Sequence, residues 1–448
     1  MDRNTYEIVI IGGGVCGTAL LYTLSNYTNV DRIALIEKNA AVALVNSHKC
    51  SNSQTLHFGD IETNYSLEKA RQVNRAASLV KNYLLNNDPQ QQIYSKYHKM
   101  VLAVGEEQVA KLKSRYHEFK QLFPSLRLIT KAEIAQIEPK VLESRDYEQD
   151  ILALFTDQGY TINFQKLAQS FLDNGVKNTA KKIDTFFDSK VINIKQENQY
   201  YVIKTATKTI RAKAVAVEAG AHSLLLAKSL GYGKNYALLS VAGSFYLAPE
   251  LLKGKVYTVQ LKKLPFAAIH GDPEVDDPTI TRFGPTAKVL PMLERHNYST
   301  VWEYFKTAGL SVKAIASFLK ILADWTVFRY IILNLIYDIP FVGKRLFIKQ
   351  VKKIVPSVTL KDLRFAQGYG GIRPQVVNLD SRSLELGEAK IVGNKILFNI
   401  TPSPGASTCL QNAQEDTERL ISFLGNEYYF DRASFTQDLS HTADFINR

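Results

Sequence analysis

The sequence predicts an α/β fold in which a parallel sheet is assembled from separate segments of the chain, with an α+β unit inserted between them. A β-branched apolar run at residues 6–11 leads at once into a glycine-rich turn and a helical pattern. Strand–turn–helix patterns recur between about 151 and 235, and strands followed by a final helix return from residue 366. The predicted boundaries are 1–90, 151–235 and 366–448 for the sheet unit, and 91–150 and 236–365 for the inserted unit.

Composition places the chain among ordinary globular proteins. Its 448 residues are 46% hydrophobic and 22% charged, which excludes a disordered or fibrous chain. The three cysteines are widely separated, so neither a disulfide framework nor a metal site is indicated. The first residues lack the pattern of a secretory signal, and we expect a cytoplasmic protein. The net charge of +12 indicates an anionic partner, but no nucleic-acid-binding module accompanies it, so we expect no nucleic acid.

The glycine-rich turn has the spacing of a dinucleotide-binding site. Gly12, Gly14 and Gly17 form the pattern G-x-G-x-x-G directly after the first strand. The first glycine allows a tight turn, the second lets the backbone approach a pyrophosphate, and the third lets the helix pack closely on the sheet. Glu37 ends the second strand, where a carboxylate accepts hydrogen bonds from ribose hydroxyls and disfavours a 2′-phosphate. For the glycines alone, the alternative is an ordinary strand-to-helix turn.

Position in the chain and two later segments favour FAD over NAD as the dinucleotide. The motif lies near the first residue, and a later strand enters a small-residue turn at Ala219 and Gly220, of the kind that passes close to the cofactor. A loop at 401–407 precedes a helix predicted at 408–424, which we expect Ser403 or Ser407 to cap. The helix dipole would stabilise an anionic reduced flavin. The predicted cofactor contacts in this loop are Pro404, Gly405, Ala406 and Ser407.

A series of short motifs spans nearly the whole chain. Besides the glycine motif, they lie at 52–57, 241–246, 255–257, 268–273, 282–286, 371–375 and 401–407. In this order they resemble those of malate:quinone oxidoreductase, particularly the shorter epsilonproteobacterial form. Related 2-hydroxyacid flavoenzymes, including L-2-hydroxyglutarate dehydrogenases, share the general D-amino-acid-oxidase-like plan.

The resemblance implies a Rossmann-like FAD-binding domain assembled from discontinuous segments, with an inserted α+β substrate domain. It also implies noncovalent FAD, oxidation of L-malate to oxaloacetate and delivery of electrons to membrane quinone. Asn52, Ser53 and Gln54 would then lie against the flavin. L-2-hydroxyglutarate or L-lactate as the substrate, and a non-catalytic flavin-binding membrane-associated protein, are the alternatives.

Oxidation of a secondary alcohol requires a base for the hydroxyl proton, and cations for the substrate carboxylates. His270 is the first candidate base, because it lies between an apolar strand at 264–269 and a polar turn. His57 is the second candidate, because the resemblance places the preceding segment against the flavin. For both, the alternative is a histidine that only anchors hydrogen bonds. Arg373 and Arg282 are the predicted clamps for two carboxylates, with a structural ion pair as the alternative role.

Residues 312–353 predict contact with an anionic membrane surface without a membrane span. Asp324, Arg329 and Asp338 interrupt the region too often for a spanning helix of about twenty apolar residues. A basic amphipathic element binds an anionic leaflet by shallow insertion and charge attraction, and we expect a peripheral position on the inner face of the cytoplasmic membrane. The alternative is packing on the protein's own core. The apolar residues are Phe318, Leu319, Ile321, Leu322, Trp325, Phe328, Tyr330, Ile331, Ile332 and Leu335, and the basic residues are Lys313, Lys320, Arg329, Lys344, Arg345, Lys349, Lys352 and Lys353.

Overall fold

A computed structural model describes residues 4–146, 148–260, 269–308, 323–385, 389–401 and 404–440. Within these ranges, twenty strands form three sheets, and twelve helices pack on them. The strands are β1 (Thr5–Ile11), β2 (Arg32–Ile36), β3 (Tyr94–Val104), β4 (Arg127–Thr130), β5 (Ile151–Ile162), β6 (Lys182–Phe186), β7 (Val191–Glu197), β8 (Tyr200–Thr205), β9 (Thr209–Val217), β10 (Tyr236–Ala242), β11 (Tyr246–Pro249), β12 (Lys255–Thr258), β13 (His270–Pro273), β14 (Ile280–Gly284), β15 (Lys288–Val289), β16 (Arg364–Phe365), β17 (Ile372–Asn378), β18 (Ser383–Glu385), β19 (Ala389–Gly393) and β20 (Ile396–Ile400). The helices are α1 (Val15–Tyr27), α2 (Leu67–Asn87), α3 (Glu106–Phe119), α4 (Lys131–Ile137), α5 (Pro139–Leu142), α6 (Phe164–Val176), α7 (His222–Ser229), α8 (Thr300–Ala308), α9 (Trp325–Ile336), α10 (Val342–Val351), α11 (Cys409–Leu424) and α12 (Arg432–Asp438).

The first sheet has the order β19-β20-β9-β1-β2-β6, and β8 and β7 extend it from β9. Its five strands from β20 to β6 run parallel. β1 is buried along its whole length, because α1, α6 and α11 cover one face and α7 covers the other. Parallel strands bring their carboxyl ends to one edge, so the turns after β1 and β9 meet there.

Two further sheets complete the fold. The second is antiparallel, with the order β15-β10-β17-β18. The third has the order β16-β11-β14-β13-β12-β3-β5-β4 and is mixed, because β12 and β3 run parallel. α10 packs on the third sheet through Phe347, which stacks on Tyr246 at 4.5 Å between ring centroids.

The predicted discontinuous assembly of the nucleotide sheet is confirmed, since its strands come from three separate parts of the chain. Two predicted boundaries differ from the strand pairing. β5 falls in the segment predicted for the nucleotide unit, but it pairs with β3 and β4 in the third sheet. β17 falls in the last predicted segment of that unit, but it pairs with β10 in the second sheet. An apolar alternation predicts a strand without specifying its partner, which accounts for both differences.

Candidate active site

The glycine turn between β1 and α1 is packed too tightly for side chains at two positions. A Cβ added to Gly12 would meet the carbonyl oxygen of Glu218 at 2.4 Å, and one added to Gly17 would meet that of Gly12 at 1.9 Å. Gly12 also has a φ of +117°, which favours glycine. At Gly14 the nearest atom to an added Cβ is Ser47 Oγ at 3.4 Å. Gly12 and Gly17 therefore shape the turn, whereas Gly14 keeps its backbone open.

Glu37 follows β2 beside this turn. Its Oε2 accepts a hydrogen bond from the backbone N–H of Gly13 at 2.7 Å. Its Oε1 accepts hydrogen bonds from the backbone N–H of Asn39 at 2.9 Å and from Asn39 Nδ2 at 2.7 Å. These bonds fix the carboxylate at the sheet edge, and a carboxylate has about four acceptor sites, so acceptor capacity is left for a ribose hydroxyl.

A cavity of about 640 Å³ opens at this edge of the first sheet and extends to β17 of the second. Its volume is typical of a cofactor or substrate site. The open backbone at Gly14 and the carboxylate of Glu37 fit the pyrophosphate and ribose of a dinucleotide. The predicted cofactor contacts that line the cavity are Gly12, Gly14, Glu37, Asn52, Ser53, Ala219, Gly220, Pro404, Gly405, Ala406 and Ser407.

Gln54 does not line this cavity. It is fully buried, and its Nε2 donates hydrogen bonds to Glu274 Oε1 at 3.0 Å and to the carbonyl oxygen of Lys49 at 2.9 Å. Its Oε1 accepts a hydrogen bond from the backbone N–H of Val275 at 3.1 Å. Gln54 therefore ties its loop to the segment after β13 instead of contacting a cofactor.

The loop before α11 lines the cavity and is hydrogen-bonded to the segment that carries His57. α11 begins at Cys409, and Thr408 at its N-cap makes no side-chain capping bond. Ser407 Oγ instead accepts a hydrogen bond from the backbone N–H of His57 at 3.0 Å. The predicted cap by Ser407 is therefore wrong, and Ser403 lies outside the described residues.

His57 lines the cavity and forms a pair with a carboxylate that the sequence prediction missed. Its Nδ1 lies 2.7 Å from Glu62 Oε1, and its Nε2 lies 3.4 Å from Ser53 Oγ. A carboxylate partner favours the tautomer that carries the proton on Nδ1, which leaves Nε2 as an acceptor. The only sequence signal for this pair was an acid five residues after the histidine, which is too common a spacing to single out.

Arg373 lies on β17 and lines the same cavity as the glycine turn, and it pairs with Val241 of β10. Burial lowers the pKa of its guanidinium, and Tyr330 of α9 lies close enough to interact with its charge. In the described part of the chain, no carboxylate lies within ion-pair distance of this guanidinium. Its position fits the predicted role of an anion clamp.

Arg282 lies outside the cavity wall. It is fully buried on β14, and its guanidinium donates hydrogen bonds to Asp272 Oδ2 at 2.9 Å and to the carbonyl oxygens of Ser53 at 3.0 Å and Asn52 at 3.3 Å. This geometry favours the alternative role, a structural ion pair. Arg282 therefore supports the loop that contains Asn52 and Ser53, which line the cavity.

His270 also lies outside the wall. It is the first residue of β13, 4% exposed, with its ring centroid 4.8 Å from that of Tyr257. Its Nε2 lies 3.7 Å from Asp272 Oδ1, and burial lowers the pKa of the imidazole to about 3. Most of the strand predicted before it, at 264–269, lies outside the described residues. Of the two candidate bases, the structure therefore brings only His57 to the cavity.

The predicted membrane-contact region is described from residue 323 onward. α9 packs against β15 and exposes Trp325, Phe328, Ile332 and Leu335, which are 70%, 38%, 40% and 37% accessible, and Phe341 before α10 is 84% accessible. We call these five residues the α9–α10 surface. No helix in the described ranges is long and apolar enough to cross a membrane. The predicted contact residues outside the described ranges are Lys313, Phe318, Leu319, Lys320, Ile321 and Leu322.

The nucleotide sheet, its glycine turn and the cavity shared with the second sheet define an FAD-dependent oxidoreductase with a D-amino-acid-oxidase-like fold. Two solved structures show the same fold. An FAD-bound L-α-glycerophosphate oxidase from Mycoplasma pneumoniae has a TM-score of 0.64 and 18% identity, and covers 96% of this chain and 97% of its own. A glycine oxidase from Geobacillus kaustophilus has a TM-score of 0.64 and 17% identity, with 97% and 98% covered.

The chain belongs to the malate:quinone oxidoreductase family, whose model matches residues 4–422. A probable malate:quinone oxidoreductase of Campylobacter jejuni is 43% identical over 97% of this chain and 99% of its own. A malate:quinone oxidoreductase of Helicobacter pylori is 40% identical over 97% and 98%. A human mitochondrial L-2-hydroxyglutarate dehydrogenase is 25% identical over 91% and 87%. The predicted family and the predicted cofactor, FAD, are confirmed.

Proposed function

We propose that this chain oxidises L-malate to oxaloacetate with FAD and passes the electrons to quinone. The observation that carries the proposal is the position of Arg373 in the wall of the FAD cavity. Its guanidinium has no carboxylate partner among the described residues, and a partly buried cation requires an anion. A substrate carboxylate would supply that anion through two parallel hydrogen bonds.

In this proposal, two side chains of the protein act directly on the substrate. Arg373 holds one substrate carboxylate and so orients the secondary alcohol, while His57 Nε2 accepts the hydroxyl proton. FAD, when bound, supplies the acceptor for the hydride that leaves the adjacent carbon. When FAD is bound, the residues at 52–53 and 404–407 would hold its flavin part, and Glu37 and the glycine turn would hold its ribose and pyrophosphate.

Anaerobic reduction of the enzyme-bound FAD tests the activity and its substrate together. The holoenzyme is mixed with L-malate, L-lactate or L-2-hydroxyglutarate, and loss of the oxidised flavin absorbance is followed. We expect L-malate to reduce the flavin with the highest ratio of rate constant to apparent dissociation constant. A higher ratio for one of the other acids would assign the substrate to that acid, and no reduction by any of them would favour a non-catalytic flavin protein.

The α9–α10 surface supports peripheral contact with an anionic membrane, on the inner face of the cytoplasmic membrane in this proposal. The same stretch of chain carries basic residues, most of them exposed, and exposed apolar side chains combined with basic ones insert shallowly among anionic lipid headgroups. The same helix carries Tyr330, which interacts with Arg373 in the cavity wall. Membrane contact here would therefore bring a lipid-dissolved quinone near the site. The described basic residues of this stretch are half-buried Lys344 and exposed Arg329, Arg345, Lys349, Lys352 and Lys353.

Vesicle flotation tests this contact. We expect the holoenzyme to float with phosphatidylglycerol-containing vesicles and not with pure phosphatidylcholine vesicles, and binding to weaken with added salt. Trp325→Ala removes an exposed aromatic from the α9–α10 surface and should weaken binding about 3- to 10-fold. Trp302→Ala is the matched control, because Trp302 is 76% exposed but lies on α8 outside this surface. Equal binding by both variants and the parent would exclude the α9–α10 surface as the contact.

A further inference from the structure

A second, much smaller cavity lies against His57. Its volume is about 20 Å³, and among the described residues it shares only His57 with the wall of the large cavity. A space of this size holds one water molecule, provided that polar partners face it. The remaining lining residues in the described chain are Ile61, Glu62, Tyr257, Thr258 and Gln260.

Two of these lining residues each have a buried oxygen without a hydrogen-bond partner among the described residues. They are Glu62, through Oε2, and Gln260, through Oε1. The other carboxylate oxygen of Glu62 is the one paired with His57. Buried acceptors are normally satisfied, and a water molecule has two O–H groups to donate. One water would therefore satisfy both oxygens.

The backbone at Glu62 and at Gln260 is anchored by contacts outside the small cavity. Arg115 of α3 donates a hydrogen bond to the backbone carbonyl oxygen of Glu62 at 2.6 Å, and its guanidinium lies 3.1 Å from the centroid of the Phe119 ring. The backbone N–H of Gln260 donates to Thr63 Oγ1 at 2.9 Å. The turn that carries Glu62 is thus anchored independently of His57, as a group that orients another side chain must be.

Glu62 carries the negative charge that a residue paired with a catalytic base needs. Burial raises the pKa of its carboxyl, but the hydrogen bond and charge of His57 and the charge of Lys99 lower it, and the net shift is downward. Glu62 is therefore ionised beside His57. The other ionisable groups around this pair belong to β3, β12, β13, β14, α3 and the turn before α2. They are Lys99 with Asp60 at 2.7 Å, Lys255 with Asp272 at 3.1 Å, Arg282 with Asp272 at 2.9 Å, His270, Tyr257, Arg115 and Tyr65.

We propose that Glu62, completed by one water molecule between its Oε2 and Gln260 Oε1, is the positioning residue for His57. The inference rests on the proposed function, in which His57 is the base. The Glu62 carboxylate holds the Nδ1 proton and directs Nε2 toward Ser53 and the large cavity. When the substrate O–H bond breaks, its proton forms an N–H bond at Nε2 while the hydride leaves the carbon for FAD. The carboxylate then stabilises the positive charge on the ring.

Glu62→Gln in the holoenzyme tests the positioning role, with anaerobic flavin reduction by L-malate measured from acid to alkaline pH. The amide keeps the shape but loses the charge, and it can present its NH₂ to the ring and so select the wrong tautomer. We expect the limiting rate to fall about 10- to 100-fold, with little change in the apparent dissociation constant for malate. The dependence of the rate on pH should also differ from that of the parent, because the ionised carboxylate beside the base is gone. Glu62→Asp should recover part of the rate.

Glu138→Gln is the matched control. Glu138 is a buried carboxylate whose Oε1 lies 2.8 Å from His98 Nε2, and neither residue lines the large cavity. We expect this variant to leave the flavin reduction rate and its pH profile unchanged. An equal loss in both variants would overturn the inference, because the effect would then be that of removing any buried acid.

A crystal structure of the holoenzyme tests the water, with Gln260→Leu as the comparison. We expect one ordered water within hydrogen-bond distance of Glu62 Oε2 and Gln260 Oε1 in the parent. In Gln260→Leu the water should be absent, and the rate should fall in the same direction as in Glu62→Gln but less far. An empty cavity in the parent would overturn the part of the inference that concerns water.

His57→Asn separates failure of this inference from failure of the proposed function. If His57→Asn abolishes flavin reduction but Glu62→Gln leaves rate and pH profile unchanged, the positioning role is wrong and the proposed base stands. If His57→Asn leaves the rate of reduction unchanged, the base assignment itself is wrong and the role of Glu62 falls with it.

Discussion

The guanidinium of Arg282 donates a hydrogen bond to the backbone carbonyl oxygen of Ser53 at 3.0 Å. The same guanidinium pairs with Asp272 Oδ2, which also accepts a hydrogen bond from Lys255 Nζ at 3.1 Å. All three side chains of this ion cluster are fully buried. This ion cluster in the third sheet thereby supports the loop that lines the FAD cavity. We therefore expect its loss to reduce stability and FAD binding more than affinity for malate.

Arg282→Met should destabilise the protein, because it leaves Asp272 with one cation and the carbonyl groups of the loop without donors. We expect the free energy of unfolding to fall by about 3–5 kcal/mol, with lower FAD content. Urea unfolding of the holoenzyme measures this. Arg127→Met is the control, since Arg127 is exposed and lies over the Phe155 ring, and its effect should stay within about 0.5 kcal/mol. Normal stability with weakened malate binding in Arg282→Met would instead assign Arg282 as a clamp.

Gly14→Ala and Gly17→Ala should differ in what they disturb. At Gly14 the φ is −73°, and among the described residues an added methyl meets Ser47 Oγ alone, at 3.4 Å, so the apoprotein should accept alanine with a change in unfolding free energy within about 0.5 kcal/mol. FAD affinity should fall, because the methyl enters the space proposed for the pyrophosphate.

At Gly17 the methyl overlaps the backbone of Gly12, so α1 must shift and the apoprotein itself should lose stability. Chemical unfolding measures the stability of both apoproteins, and titration with FAD measures their affinity for the cofactor. Equal FAD affinity in Gly14→Ala and the parent would show that Gly14 does not lie against the pyrophosphate.

The sequence can indicate which residues line the cavity where their position depends on local spacing. The glycine turn and Glu37 belong to one β–α–β segment, so their geometry follows from a few neighbouring residues. Arg282 and His270 depend on pairing between strands, since Asp272 stands opposite Arg282 in the register of β13 and β14. No local pattern gives that register. Glu62 was missed because an acid five residues after a histidine is too common a spacing to single out, and because Gln260, which lines the small cavity with it, is distant in sequence.

Burial of His270 should make the protein less stable in acid. The pKa of its imidazole is lowered from 6.5 to about 3 in the folded protein. Between these values the unfolded chain binds a proton that the folded chain excludes, so stability is full above pH 6.5 and falls as pH drops toward 3. His270→Phe should therefore lose less unfolding free energy than the parent between neutral pH and about pH 4.

Urea unfolding at several pH values measures this dependence. His117→Phe, at an exposed position on α3, is the control and should follow the parent. The same slope in His270→Phe and the parent would show that His270 takes up its proton in the folded state.

Arg373 should control substrate affinity independently of FAD binding. Arg373→Met removes the cation from the cavity wall while the glycine turn and Glu37 are untouched, so FAD content should be retained. Hydrogen bonds to a charged group contribute about 1.5–3 kcal/mol, so the apparent dissociation constant for L-malate should rise about 10- to 100-fold. Arg373→Lys keeps the charge but loses the two parallel N–H groups, and its dissociation constant for L-malate should lie between those of the parent and Arg373→Met.

Stopped-flow flavin reduction over a range of malate concentrations gives both the affinity for malate and the limiting rate of reduction. If Arg373→Met binds malate as the parent does, the anion clamp must be sought elsewhere in the cavity; a loss of FAD from this variant would place Arg373 in the cofactor cradle.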